Sequence, residues 1–120
     1  MAESGLVIQQ VQGVTIAEIQ TSSLMEGRAI EAIAKELYAL VDEQDTKKLV
    51  VDFRTVGFLA SQAIGILVNL HKKSKAIGGE LVLCGLRKNL MKVFKITNLH
   101  KILTFADDES KALRKFDVFM

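Results

Sequence analysis

The hydrophobic pattern begins with two short runs rich in valine and isoleucine, residues 6–11 and 14–19. Only Gln12-Gly13 separates the runs, which is the spacing of a two-residue hairpin, so we expect two antiparallel strands. Successive side chains of a strand point in opposite directions, and apolar side chains fall on both faces of the second run. The pattern therefore predicts that the chain opens with a β-hairpin.

Beyond the hairpin, helical and strand patterns alternate. Some segments carry apolar residues at every third or fourth position, the spacing that lines up one face of a helix. Others are short apolar runs, which are typical of strands covered on both faces. The predicted helices are 28–41, 62–77, 88–96 and one that opens at 107–109, and the predicted strands are 48–53, 80–84 and 102–105.

The order of these elements defines the expected fold class. A hairpin followed by alternating strands and helices is typical of an α/β protein whose later strands run parallel and are joined by crossovers. We therefore predict a mixed sheet in which the strands 48–53, 81–84 and 102–105 are parallel and about four helices cover the sheet. A length of 120 residues suits one core, so residues 1–120 are expected to form a single domain.

Composition is that of a globular protein, with 49% apolar and 25% charged residues. No apolar run approaches the roughly 20 residues of a membrane-spanning helix, and the acidic N-terminus lacks the pattern of a signal peptide. Cys84 is the only cysteine and cannot form an internal disulfide, which favours a reducing compartment. We expect a cytoplasmic protein without stable membrane insertion.

The net charge of +2 conceals an uneven distribution. Residues 1–46 carry eight acids and two bases, whereas residues 47–120 carry fourteen bases and six acids. These bases either lie on solvated helix faces or form a basic surface for an acidic protein or an anionic headgroup. In the second interpretation, an acidic partner would be steered by Lys72, Lys73, Arg87 and Lys88. We do not expect nucleic acid as a partner, because no aromatic-rich basic strand or zinc-ligand spacing is present.

Residues suited to catalysis are scarce. Neither His71 nor His100 has a cysteine or carboxylate at a suggestive spacing, so both are expected on the surface. Cys84 lies in an apolar strand, which indicates core packing. The sequence has no glycine-rich phosphate loop and no metal-ligand cluster. We expect a binding protein that has no cofactor or metal and is not an enzyme; an enzyme is the alternative from another class.

Asp52 ends a central strand, the place where receiver domains carry a phospho-accepting aspartate. Those domains also need an acidic pair after the first strand and a lysine after a late strand. Here the early strands end in Gly13 and Gln20, and Ala106 follows Phe105. We therefore expect Asp52 to accept hydrogen bonds from loop amides at the strand end.

Ser61 immediately precedes a strongly predicted helix. The pattern favours an N-cap, in which the serine hydroxyl accepts from the amide of Ala63 or Ile64. The same position suits a phosphate, because a helix start offers free amides and a partial positive charge. Gly65, one turn further on, would let a neighbouring backbone pack closely. Geometry alone favours the capping interpretation.

The segment 52–67, DFRTVGFLASQAIGIL, resembles the signature of STAS domains, the family of bacterial anti-sigma factor antagonists. The family pattern is a strand that ends in aspartate, a short apolar loop, and then Asp-Ser-x-Gly-hydrophobic-Gly at the start of a helix. In this chain Ala60, Gln62 and Ala63 replace the aspartate, a small polar residue and the first glycine. The stretches 78–86, 90–99 and 102–113 are similar to later parts of the family.

The resemblance implies that Ser61 is a phosphorylation site. The kinase would be the partner anti-sigma factor, a phosphatase would reverse the reaction, and the unphosphorylated protein would bind the partner and free a sigma factor. The implied docking surface consists of Ala60, Ser61, Gln62, Ile64 and Gly65. The alternative is a STAS subunit of a stress-sensing complex or of a membrane-transporter assembly that is not phosphorylated, and a homodimer is left open.

Overall fold

The computed structural model describes residues 5–119 and shows an α/β fold with a mixed sheet, as predicted. Its strands are β1 Leu6–Val11, β2 Val14–Ile19, β3 Ser23–Leu24, β4 Lys48–Asp52, β5 Phe58–Leu59, β6 Glu80–Cys84 and β7 Thr104–Ala106. Its helices are α1 Gly27–Asp42, α2 Ser61–Ala76, α3 Lys88–Ile96 and α4 Glu109–Arg114, with a 3-10 turn at Leu99–Lys101.

The main sheet has the strand order β1-β2-β4-β6-β7. β1 is antiparallel to β2, and β4, β6 and β7 are parallel, as predicted. β2 also pairs with β4 in parallel. Parallel strands end at the same edge of a sheet, so β2, β4, β6 and β7 bring their carboxyl ends together. The segment that leads to α2 and the segment that leads to α4 both leave from this edge.

The hairpin turn between β1 and β2 is the predicted two-residue connection. Gln12 has a φ of 48° and Gly13 a φ of 86°, so both residues adopt left-handed conformations. This combination is that of the turns whose twist matches two antiparallel strands. The pairing of Val11 with Val14 next to the turn confirms the predicted register.

Helices cover both faces of the sheet. On one face, α1, α2 and α3 form a core in which Leu67 and Phe94 lie in the same cluster as Leu83 of β6. On the other face, Leu113 of α4 belongs to a second cluster with Val50 of β4. Because β4 and β6 send alternate side chains into two cores, their sequences are continuously apolar.

Two very short strands were not predicted. β3 and β5 pair in parallel, with Ser23 opposite Phe58 and Leu24 opposite Leu59. A strand of two residues is too short to produce an alternating pattern in the sequence, so periodicity does not detect it. This small sheet lies directly before α2 and fixes the path of the chain into that helix.

The last strand and the last helix begin two residues later than predicted. The amide of Leu103 donates to the carbonyl of Leu99 at 2.9 Å, which bonds residue 103 back to the preceding 3-10 turn, so β7 starts at Thr104. The α4 helix starts at Glu109 because Asp108 is its N-cap, with its carboxylate accepting from the amide of Lys111 at 2.8 Å.

Candidate functional site

The segment after β4 begins with a tight turn around Asp52. One carboxylate oxygen of Asp52 accepts from the amide of Arg54 at 2.9 Å, which confirms the predicted bond to a loop amide. The amide of Phe53 donates to the carbonyl of Cys84 at 2.8 Å, and Val56 donates to the carbonyl of Phe53 at 2.9 Å. These bonds fix the direction in which the chain leaves the sheet.

The rest of this segment is anchored to its neighbours by backbone bonds. The amide of Gly57 donates to the Ser22 carbonyl at 2.7 Å, and the amide of Ala60 donates to the Leu24 carbonyl at 2.8 Å. The side-chain amide of Asn89, on α3, donates to the Gly57 carbonyl at 3.2 Å. The chain therefore reaches the start of α2 in one fixed conformation.

Ser61 is not the N-cap of α2, and the prediction that its hydroxyl caps the helix is wrong. Ala60 occupies the N-cap position with an extended backbone, and its carbonyl accepts from Ala63 and Ile64 at 3.0 and 3.3 Å. Ser61 is thereby the first residue within the helix. It is exposed, and within residues 5–119 its hydroxyl makes no hydrogen bond.

The residues around Ser61 form an accessible surface of mixed character. Gln62 and Gly65 are exposed, whereas Ala60 and Ile64 are half-buried. Apart from the adjoining residues and backbone of α2 itself, nothing in the described part of the chain lies within 4 Å of the place where a Cβ on Gly65 would stand. The expectation of a closely packed backbone at Gly65 is therefore not met within this chain, and the space there is open.

Two large apolar side chains beside this surface were not singled out from the sequence. Phe58 is 65% exposed and Met25 is 57% exposed. Phe58 lies in β5, and Met25 follows the residue whose carbonyl accepts from Ala60. We call Met25, Phe58, Ala60, Ser61, Gln62, Ile64 and Gly65 the Ser61 surface. The sequence shows only that each of these apolar residues lies in a short connecting segment, and this position does not tell whether the side chain is exposed.

The first turn of α2 is electrostatically suited to an anion. The helix has 16 residues and no acidic residue in its first turn. Its first amides have no partner within the helix, and they carry the positive end of the helix dipole. A phosphate on Ser61 would therefore meet a favourable field without an opposing carboxylate on the same turn.

The predicted basic residues lie on two helices and differ in their contacts. Lys73 of α2 pairs with Asp42 of α1 at 2.8 Å and lies 5.0 Å from the centre of the Tyr38 ring. Lys72 is exposed on the same helix. Arg87 and Lys88 are exposed at the start of α3, and the guanidinium of Arg87 approaches Gly57.

A cluster of carboxyl groups at the same edge of the sheet escaped sequence analysis. Oxygens of Glu18, Asp52 and Glu109 all lie within 4.8 Å of one another. The hydrogen bond to Asp52 and then burial raise the pKa of Glu109 to about 7. Burial, followed by the charge of Asp52, also raises the pKa of the Cys84 thiol, which agrees with the predicted packing role. The sequence did contain a signal for this cluster, since its acids lie near the ends of two predicted strands and at the start of a predicted helix.

No helix in the described residues 5–119 is both long and apolar enough to cross a membrane. The candidate features lie at the carboxyl edge of the sheet, on the segments that enter α2 and α4.

The model of the STAS domain family matches residues 6–112. This range contains the main sheet, the small sheet of β3 and β5, and the helices α1, α2 and α3. The chain therefore belongs to the STAS domain family, and the resemblance seen in the signature segment is confirmed.

Individual relatives agree with this assignment. BtrV of Bordetella bronchiseptica, named as an anti-sigma factor antagonist, is 26% identical over 111 residues, which are 92% of this chain and 93% of BtrV. The crystal structure of an anti-sigma factor antagonist from Mycobacterium paratuberculosis has a TM-score of 0.82 at 18% identity and 98% coverage of both chains. Bacillus SpoIIAA in its phosphorylated form has a TM-score of 0.72 at 16% identity, with 92% of this chain and 98% of SpoIIAA covered. These two structural likenesses establish a shared fold.

Proposed function

We propose that this protein is an anti-sigma factor antagonist that binds its partner through the Ser61 surface and is controlled by phosphorylation of Ser61. The observation that carries the proposal is the position of Ser61: exposed, first in α2, and with a hydroxyl that no cap bond occupies. A kinase can reach such a hydroxyl without opening the fold.

The apolar part of the Ser61 surface supports protein binding. Aromatic residues and methionine are enriched at the centres of protein interfaces, where they supply most of the binding energy. Phe58 and Met25 are each more than half exposed. Phe58 lies two residues before Ala60, and Met25 follows the residue whose carbonyl accepts from the Ala60 amide. They would form the apolar contact, with Ser61 and Gln62 as the polar neighbours.

A phosphate on Ser61 would act on the interface more than on the fold. It adds about −1.5 to −2 charges at neutral pH. The first turn of α2 has no acid, so the helix accommodates this charge. A partner surface that fits the neutral serine beside Ala60 would have to desolvate a dianion, which costs several kcal/mol. Phosphorylation would thus release the partner, and a phosphatase would restore binding.

The exposed cations support steering of an acidic partner. Lys72, Arg87 and Lys88 are exposed, and none forms an ion pair among residues 5–119. Complementary charge mainly raises the association rate. Lys73 is held by Asp42, so its contribution to steering would be smaller. A sigma-factor regulator of this type would act in the cytoplasm.

The test is a pull-down from the native cell extract with wild type, Ser61→Asp and Gln44→Glu side by side. Gln44→Glu adds the same charge at an exposed site after α1 and serves as the control. We expect wild type and Gln44→Glu to retain a kinase-type anti-sigma factor, identified by mass spectrometry, and Ser61→Asp to lose it. Equal recovery by all three variants would contradict the proposed switch.

Phosphate mapping completes the test. Protein purified from its own cells, and protein incubated with the captured kinase and ATP, should carry phosphate on Ser61, and Ser61→Ala should bind the kinase but take up none. If no phosphate appears in either sample, the switch is absent. The alternative would then hold, namely constitutive binding in a stress-sensing complex or a membrane-transporter assembly, and Ala60 in place of the family's aspartate would account for the missing phosphate.

A further inference from the structure

The carboxyl cluster lies where α4 meets the ends of two neighbouring strands. Glu18 and Asp52 are direct partners in the parallel register of β2 and β4, and Glu109 is the first residue of α4. Asp52 is only 3% exposed. A Cβ on Gly85 would stand 2.6 Å from a carboxylate oxygen of Asp52, so the backbone after β6 closes the site from a third side.

Hydrogen-bond donors are unevenly distributed within the cluster. Asp52 accepts from the amide of Arg54 at 2.9 Å, and Glu18 accepts from the guanidinium of Arg54 at 3.2 Å. Glu18 also accepts from the side-chain amide of Gln20. The buried Oε2 of Glu109 has no donor among the described residues.

The remaining titratable neighbours do not neutralise Glu109. Cys84 of β6 carries no compensating positive charge, and Asp108 adds a negative one just before α4. The ammonium of Lys111 forms an ion pair with Asp107 at 3.0 Å and is therefore not paired with Glu109. Arg54 therefore remains the cation at the cluster, and it is bound to Glu18 on an exposed side.

Carboxyl oxygens of Asp52 and Glu109 lie within 4.8 Å of each other, so ionising both groups is costly, and such a pair can share one proton. The protonated group then supplies the missing donor, with its O–H donating to the other carboxylate. The hydrogen bond to Asp52 and the burial that raise the pKa of Glu109 to about 7 are consistent with such a pair.

We propose that Asp52 and Glu109 share one proton and form a pH-sensitive latch that holds the start of α4 against the ends of β2 and β4. Loss of the proton leaves two facing carboxylates and loosens α4, which covers the second core through Ala112 and Leu113. Asp52 also accepts a hydrogen bond from the amide of Arg54, so loss of the proton alters the turn that leads toward the Ser61 surface. The inference does not depend on the proposed partner.

The direction of the pH effect follows from proton binding. The folded chain holds the proton of Glu109 up to its raised pKa of about 7, whereas the unfolded chain releases it near the ordinary pKa of 4.5. The latch is therefore fully stabilising below about pH 4.5, and its contribution is lost as the pH rises through about 7. For one proton, the unfolding equilibrium constant rises at most about tenfold per pH unit in this window.

The experiment follows the whole chain by carboxyl ¹³C NMR and by urea unfolding from pH 5 to 8. Glu109→Gln keeps a donor toward Asp52 but cannot titrate, and Glu31→Gln removes an exposed acid on α1 as the matched control. We expect a Glu109 midpoint near 7 and a urea midpoint that falls with pH in wild type and Glu31→Gln. In Glu109→Gln this pH dependence should be reduced, and the amide shifts of residues 54–57 should no longer follow a midpoint near 7.

Three results would overturn the latch. The first is a titration midpoint of Glu109 near the ordinary value of a glutamate in wild type. This measurement does not depend on whether any variant folds. The second is an unchanged pH dependence in Glu109→Gln. The third is a Glu109 midpoint near 7 that falls strongly on addition of millimolar Mg²⁺ or Ca²⁺, because the cluster would then bind a cation in place of the proton.

Discussion

The starts of α2 and α4 lie at the same edge of the sheet but are built in opposite ways. At α4, Asp108 caps the first turn, and Glu109 contributes an acid that also contacts the sheet through Asp52. At α2, Ala60 is the N-cap without a side-chain bond, and the first turn has no acid. A helix start whose amides the protein satisfies itself serves stability, whereas one that is left open can accept a modification or a partner.

The surroundings of two glycines show the same contrast. Gly85, beside Asp52, has a φ of +72° and no room for a Cβ, which would stand 2.6 Å from the carboxylate. Gly65, one turn into α2, is exposed, and within the described part of the chain no atom beyond the adjoining residues and backbone of α2 lies within 4 Å of its Cβ position. The carboxyl side of the edge is closed by the protein's own backbone, and the Ser61 side is open.

The largest effect should be the difference in stability between alanine substitutions at these two glycines. Gly85→Ala should lower the free energy of unfolding by about 3 kcal/mol, because it adds a clash to a left-handed backbone. Gly65→Ala should raise it by about 0.5–1 kcal/mol, because alanine is the better helix former and the space is free. Urea unfolding of both variants measures these changes. Equal changes in the free energy of unfolding would show that the carboxyl side and the Ser61 side of the edge do not differ in packing.

The next effect concerns binding at the open side. Phe58→Ala should weaken partner binding by about tenfold or more, since a truncated hot-spot aromatic typically costs about 2 kcal/mol. Its thermal stability should change little, because the ring is 65% exposed. Titration calorimetry with the captured partner measures the loss. Ile8→Ala, at another exposed apolar residue on β1, is the control, and an equal loss there would argue against a localised Ser61 surface.

The smallest effect is a difference in stability that distinguishes Asp108, which caps α4, from Ser61, which does not cap α2. Asp108→Ala should destabilise the protein by about 1 kcal/mol, because it removes the bond to the Lys111 amide. Ser61→Ala should change stability by less than about 0.5 kcal/mol, because its hydroxyl caps nothing. Thermal unfolding of the two variants decides the matter, and a larger loss for Ser61→Ala would reverse the assignment of the N-cap.

The sequence placed Ser61 at the start of a helix, but the prediction that its hydroxyl caps the helix is wrong. Serine is a preferred N-cap residue, and periodicity cannot distinguish the last extended residue from the first helical one. The bonds from Gly57 to Ser22 and from Ala60 to Leu24 decide the register, and they cross between distant parts of the chain. They hold Ala60 in an extended conformation, so Ser61 becomes the first helical residue.

The exposed apolar pair could not be predicted for a similar reason. Phe58 and Met25 belong to short segments on either side of α1, and an apolar residue in such a segment is usually interpreted as buried. In the parallel register of β3 and β5, Leu24 and Leu59 point inward, so Phe58 points outward. Exposure here depends on the pairing of two strands that are too short to leave a pattern.

Local sequence was sufficient for the longer strands, the helices and the parallel direction of β4, β6 and β7, because the spacing of apolar residues encodes which face of each element is buried. It also predicted that Asp52 bonds a loop amide, since donor and acceptor are two residues apart. Only the tertiary structure brought Glu18 and Glu109 to Asp52. Whether carboxyl groups share a proton depends on distance and burial, and neither is set until β2, β4 and α4 have packed together.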